Sequence, residues 1–466
     1  MAVADEVRHD TASLYRFVAS VCAICDQREA GRCYLPASDI FLKYISHLGK
    51  RTKEFLEIFA DSIPTGPTYN LHRQKLWTLR SSWYELHQYV KPTTDAHTLS
   101  LPAPLIEGLI ARFRNLPGFP DTRFAIFHIE KLNYLQVVAS GIRELAQQIA
   151  SIIPNPPPLP PNLGLIGIPY SQSSSVFLNC LIPHEMGHFA YGEKAVGSAL
   201  APNISSSLNR AFSSQLGTLQ PWQMAWLTDL LHSWAEEIFC DLFAIHLIGP
   251  CYSYASIEIA DLTNVLGNTS GLGRLAASCE FSLTHPAFLF RIKQHALLLK
   301  TLGWWSEIDF AKSHYYRVLE LSDAQADSVF TFPRGQSLGG GALDAFFEVV
   351  PMIKEKVANT VLGLDSGLTE YKSLSRLVKE YLKNGVVPST ILHPTDSTTR
   401  FPNLVAIMNS GYTFYLESLD SLILGIKNQD PSSIKDRQSW TEKLEMWIMK
   451  AIEDHALLTG QKAGQQ

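Results

Sequence analysis

The chain has 466 residues, 46% of them hydrophobic and 18% charged, with a formal net charge of -5. That length allows two or three domains, and that composition belongs to a globular chain with a large core, which excludes disorder as its main state. The slightly acidic balance without a long basic run argues against nucleic acid as the main partner, and no apolar run approaches a membrane span, the richest stretch (Ile238 to Ile248) holding Asp241 and His246.

The opening residues, Met1 to His9, lack the basic-then-apolar layout of a signal peptide. Seven cysteines, odd in number and thinly spread, suit a reducing compartment, so the expected location is cytoplasmic. Cys22 and Cys25 form a C-x-x-C element with Cys33 close by, but a structural zinc there needs a fourth ligand and only His9 is near. These cysteines read as apolar helix positions instead. Apolar residues recur at three- and four-residue spacing through Ile40 to Leu48, Phe55 to Phe59, Tyr69 to Val90 and Ile129 to Ile153, which predicts an N-terminal helical domain over 1–153. Its aromatic stripes, with Trp77, Trp83, Tyr84 and Tyr89, read as core. The proline run from Pro154 to Pro161 breaks the pattern and reads as a stiff linker over 154–162, in preference to a ligand for a proline-reading domain. Leu163 to Tyr170 is the best strand candidate before the next helix.

His184-Glu185-Met186-Gly187-His188 carries the most chemical information. On a helix, residues four apart lie on one face, so two imidazoles one turn apart can grip a single metal ion, with the intervening glutamate beside the water that the ion activates. With 15 His and 44 Asp+Glu in the chain, random order gives H-E-x-x-H roughly once in several tens of chains of this size. Pro183 fits if the helix begins there, and the predicted helix runs from about Pro183 to Lys194. Residues 195–220, rich in Ser, Asn and Gly, read as a surface connection with a short helix; a lid over the metal is the alternative.

A catalytic zinc takes three protein ligands and leaves one position for water. The segment from Ser233 to Ala244 supplies the candidate. It reads as a helix whose apolar face (Ile238, Phe239, Leu242, Phe243) carries acids within it, and Glu237 and Asp241 share a face four residues apart. Acids among bulky apolar residues are costly unless paired or metal-bound. Glu237 as third ligand and Asp241 as hydrogen-bond partner of a zinc histidine remove both costs. Asp241 or His246 as the third ligand stay open, and Glu236, with Cys240 four residues on, is a weaker pairing.

H-E-x-x-H followed some tens of residues later by E-x-x-x-D resembles the gluzincin group of zinc metallopeptidases. The resemblance covers the two motif helices, perhaps a fifth of the chain. It implies a zincin-like catalytic domain with His184, His188 and Glu237 on Zn2+, Asp241 orienting His184, and Glu185 as general base. It also implies that a sheet edge near the zinc holds substrate as an added strand, a role open to the Leu163–Tyr170 segment. The metzincin pattern fails, since Tyr191 stands where its Gly belongs and Lys194 where its third His belongs. Thr284-His285-Pro286 with Arg291-Ile292 echoes one branch of the group that has membrane-bound and soluble members. His285 or Arg291 is then the candidate donor to the oxyanion, against the plainer reading that His-Pro starts a helix and Arg291 sits on a solvated face. His393-Pro394 with Arg400 repeats that pattern loosely.

From Pro221 on, helices are expected over 222–247, 287–302, 341–360, 401–428 and 436–458. Gly339-Gly340-Gly341, downstream of Arg334, reads as a flexible turn and not a phosphate cradle, because no strand-Gly-Lys pattern supports one. The expected fold is mainly α, with an α+β zincin-like catalytic domain over 163–305 and a C-terminal helical region over 306–466. The expected function is a soluble zinc metallopeptidase acting on a peptide or protein, its helical flanks offering surfaces for a protein partner. The rivals are a helical interaction protein with a structural or degenerate zinc site, and a zinc hydrolase of a non-peptide amide.

Overall fold

The computed structural model describes residues 2–26, 35–61, 68–95, 101–129, 139–214, 219–262, 279–308, 314–332, 338–392, 399–426 and 429–463. The chain is mainly helical with little sheet, and it divides into two compact units. The first comprises residues 1–103 and 121–174, the second 104–120 and 175–466. Among the described residues, no helix is long and apolar enough to cross a membrane.

The first unit holds α1 (Ala2–Asp26), α2 (Pro36–Asp61), α3 (Thr68–Asp95), β1 (Arg123–Ile129), α5 (Ala139–Ala150) and β2 (Leu163–Pro169), numbered with α4 (Ala103–Arg114) between. The helical periodicity of the sequence holds for α1, α2 and α3, whose apolar faces bury Val18, Phe41, Ile45, Leu48, Leu79 and Trp83 in one core. Cys22 and Cys25 lie in that core, each 3% exposed, and His9 is on the surface. They serve as apolar helix positions; Cys33 lies outside the described residues.

β1 and β2 pair in parallel, with Phe124 opposite Gly164 and Ile126 opposite Ile166. Parallel neighbours need a crossover of a dozen residues or more. Here α5 and the proline run supply part of it, so residues 154–162 connect two elements of one unit where a linker between domains is expected. The unit boundary falls at residue 174 instead. β2 is buried at every position and belongs to the first unit.

The second unit is built around α8 (Pro221–Ile248), close to the expected 222–247. Gln220 and Gln223 cap its start reciprocally. Its second half is buried almost all round, with Trp234, Ile238, Phe239, Leu242, Phe243 and Leu247 inside, as suits a central helix. Against it pack α6 (Ile182–Glu193), α7 (Val196–Ala211), α10 (Phe288–Thr301) and α12 (Gly339–Thr360). Thus the stretch after Lys194, expected as a connection with a short helix, is mostly a helix of 16 residues packed on α8 and α12. The glycines that open α12 are small for packing: a Cβ on Gly339 would meet Phe332 at 2.6 Å, and one on Gly341 would run into the Phe212 ring. The unit also contains α9 (Pro250–Leu262), α11 (His314–Ala324), α13 (Leu368–Lys383), α14 (Leu404–Glu417), α15 (Leu419–Leu424) and α16 (Ile434–Ala463). The expected helix over 401–428 is two helices that break at Ser418. A two-residue antiparallel pair, β3 (Ile391–Leu392) with β4 (Thr399–Arg400), carries Arg400; His393 and Pro394 lie outside the described residues.

The approach of α6 to α8 depends on Gly187. A Cβ there would lie 2.8 Å from the Cys240 Cα, a backbone atom that no rotamer change can move. Gly192, on the same helix, faces open space. Gly187→Ala is expected to lower stability by about 1–3 kcal/mol, the usual cost of overpacking a core. Gly192→Ala should be neutral or slightly stabilising, because Ala is the better helix former. Urea unfolding of the two variants beside the parent checks the difference; equal midpoints would mean that the helices separate without cost.

Candidate metal centre

α6 starts at Ile182, straight out of a tight turn over Leu178–Leu181, with Pro183 in its first turn where no helical hydrogen bond is lost. Glu445 of α16 fixes that turn, accepting hydrogen bonds from the Ser175 hydroxyl and the Val176 amide, each at 2.9 Å. α6 ends at Glu193, and Lys194 caps it. Its ammonium donates to the Pro117 carbonyl at 2.8 Å and lies 4.8 Å over the Phe119 ring. Tyr191 is buried edge-on against Phe239. The two positions that break the metzincin pattern thus serve in packing and helix termination.

His184 and His188 lie one turn apart, their rings edge to face with centroids 4.9 Å from each other. The His184 Nδ1 is 2.9 Å from Asp241 Oδ1, and the His188 Nδ1 is 2.8 Å from Glu236 Oε1. A carboxylate accepts and does not donate, so each contact places the ring proton on Nδ1 and leaves the lone pair on Nε2. Both Nε2 atoms face one carboxylate: His184 Nε2 is 3.6 Å from Glu237 Oε2, and His188 Nε2 is 3.8 Å from Glu237 Oε1. The space between the two Nε2 atoms and this carboxylate can take a cation, a proton or a metal ion. This donor set fits a divalent metal with nitrogen and oxygen preferences, zinc among them.

Burial disfavours the Glu237 charge, but Arg291 first, then His184, His188 and His285, hold its pKa below the ordinary carboxylate value. Arg291 Nη1 is 3.2 Å from Glu237 Oε2, and the His285 Nε2 is 3.7 Å from Glu237 Oε1. Glu185, 4% exposed, lies close enough to help Cys240 and Glu236 raise the His188 pKa against burial.

A second donor grouping overlaps this one. Ligand atoms of His184, His188 and Cys240 all lie within 4.8 Å of one another, so this buried trio could also hold a metal ion. Burial pushes the Cys240 thiol up to about 12. A metal at Cys240 would displace the thiol proton, as a metal-bound thiolate requires, whereas Glu237 is already ionised.

Asp241 is fully buried and surrounded by donors. Arg291 grips it in a fork, Nε to Oδ2 and Nη2 to Oδ1, both at 2.7 Å. The Tyr252 hydroxyl donates to Oδ1 and lies 3.1 Å from the His184 Nδ1, and the His295 Nε2 is 3.3 Å from Oδ2. Against burial, Arg291 above all, then His184 and His295, keep Asp241 ionised well below the usual range. With its oxygens taken up in this way, Asp241 orients His184 and is not free to be a ligand. Arg291, expected at the oxyanion or on a solvated face, lies part-buried between two carboxylates. His285 is half-exposed; its Nδ1 meets the Thr284 hydroxyl at 2.8 Å, and the Ser233 hydroxyl, donating to the Thr284 carbonyl at 2.9 Å, ties this loop to α8. α10 begins two residues after Pro286, so the His-Pro pair does precede a helix start. His246 stands outside the donor group, its imidazole pushed down to about 4 by burial.

The sequence reading passed over four residues here. His295 was detectable, being four residues after Arg291 and so on the same face of α10. Glu236 pairs poorly within its own helix, with Cys240 four residues on, and its partner His188 lies on α6. Tyr252 had no local signal: it follows the turn between α8 and α9, which Asn409 of α14 bridges by donating to the Ile248 carbonyl at 2.8 Å and accepting from the Cys251 amide at 2.9 Å. Cys240 faces α6 because of Gly187. In comparisons with models of protein families, with curated proteins and with solved structures, no match emerges for this chain.

Proposed function

We propose that this chain is a zinc-dependent hydrolase of peptide bonds, with a gluzincin-like ligand set of His184, His188 and Glu237. The observation that carries this reading is the orientation of the two imidazoles. Each is held at Nδ1 by its own carboxylate on α8, and both turn Nε2 toward the carboxylate between those two. Zinc bound there lowers the pKa of water and polarises a carbonyl. Glu185, next to His184 and buried, takes the proton of the attacking water and returns it to the departing amine. Asp241, locked by Arg291 and Tyr252, keeps the His184 proton on Nδ1. His285, the exposed donor nearest Glu237, is the candidate to steady the oxyanion. Cytoplasmic residence and a peptide or protein substrate belong to the same proposal.

A second reading rests on Cys240. If Cys240 joins His184, His188 and Glu237, all four positions of a tetrahedral zinc are filled by protein, and the site is structural. Metal analysis of purified protein separates the readings. The hydrolase requires about one zinc per chain, lost in His188→Ala and Glu237→Ala and retained in Cys240→Ala. Loss in both Glu237→Ala and Cys240→Ala supports the closed site, and a parent protein without bound metal overturns both.

A further inference from the structure

The two histidines are held very unequally. The carboxylate behind His184 is Asp241, wholly buried and braced by Arg291, Tyr252 and His295. The carboxylate behind His188 is Glu236, whose side chain is 38% exposed and lies 2.8 Å from the His188 Nδ1. His188 itself is twice as exposed as His184, 22% against 11%. An imidazole at a solvent-facing edge turns about its side-chain bonds unless something accepts its second N–H.

We infer that Glu236 is a positioning residue for His188: by accepting the Nδ1 proton it fixes the ring with Nε2 toward Glu237, and the metal affinity of the centre depends on it. This rests on the reading of His184, His188 and Glu237 as a metal site. Glu236 and Glu237 then divide the work between neighbouring positions of one helix. Successive residues on a helix point about 100° apart, so Glu236 reaches the outer edge of His188 while Glu237 reaches the space between the two rings. What matters at Glu236 is a hydrogen-bond acceptor at the 2.8 Å position. Glutamine keeps such an oxygen and alanine does not.

The test uses the full-length chain with zinc and with cobalt(II) as probes, comparing the parent, Glu236→Ala, Glu236→Gln and His188→Ala. Zinc affinity is read by competition with a chromophoric chelator, and ligand geometry by the visible absorption of the cobalt form. Glu236→Ala should weaken zinc binding by about 10- to 100-fold, as loss of the acceptor behind a ligating histidine does, and should alter the cobalt spectrum. Glu236→Gln should stay close to the parent in both. Thermal unfolding of the chelator-stripped proteins should not differ, because the Glu236 side chain is partly exposed. Parent-like affinity and spectrum in Glu236→Ala overturn the inference while His188→Ala, losing the metal, leaves the site reading intact. Equal losses in Glu236→Ala and Glu236→Gln also overturn it, since an acceptor would then not suffice. A parent that binds neither ion removes the site reading and this inference with it.

Discussion

Glu185→Gln is expected to keep the zinc content of the parent and to lower peptide turnover by about 10²- to 10⁴-fold, the range that a positioned general base contributes. Glutamine has nearly the same shape and fills the same buried place in the first turn of α6, but its amide has no basic oxygen to take the proton from water. The imidazoles meet Asp241, Glu236 and Glu237, so the ligand set does not pass through Glu185. Zinc stoichiometry and turnover of a quenched-fluorescent peptide mixture, measured on the same preparation, give the answer. Turnover equal to the parent would rule out Glu185 as the base. Loss of zinc together with activity would mean that its role is structural.

The second large effect is expected at Arg291. Arg291→Met leaves Asp241 as a fully buried carboxylate without its forked partner and takes away the cation 3.2 Å from Glu237. Breaking a buried ion pair from one side costs about 3–5 kcal/mol, because a charge is stranded away from water. Urea unfolding of the chelator-treated protein should show that loss. Adding Asp241→Asn to Arg291→Met should recover much of it, since the stranded charge is gone and the amide still accepts from His184 and Tyr252. An unchanged midpoint in the single variant would mean that water reaches Asp241 and that the buried pair contributes little.

Legibility in the sequence followed the range of the interaction. α8 and α12 were readable to within a residue or two because their apolar periodicity is local. β1 was not, because a seven-residue apolar strand has no distinguishing period, and its partner, β2, begins only at residue 163. The proline run was read as stiff, extended chain, but stiffness does not say whether it joins two domains or two strands. The helix α7 reads as only a short helix within a connection because Ser and Asn lower local propensity, while packing on α8 and α12 supplies what propensity lacks.

The candidate site divides along the same line. The residues themselves determined that His184 and His188 share a helix face, and that Glu237 and Asp241 share another, because a turn of 3.6 residues leaves no choice once a helix forms. Tertiary structure alone decided which acid holds which ring nitrogen, that Arg291 lies between Asp241 and Glu237, and that Tyr252, His295 and Cys240 join the group. Those contacts require α6 to meet α8 across Gly187, and α9 and α10 to bring their side chains to Asp241 from other parts of the chain. Spacing along one helix carries no information about how neighbouring helices approach, which is set by the size of the residues between them.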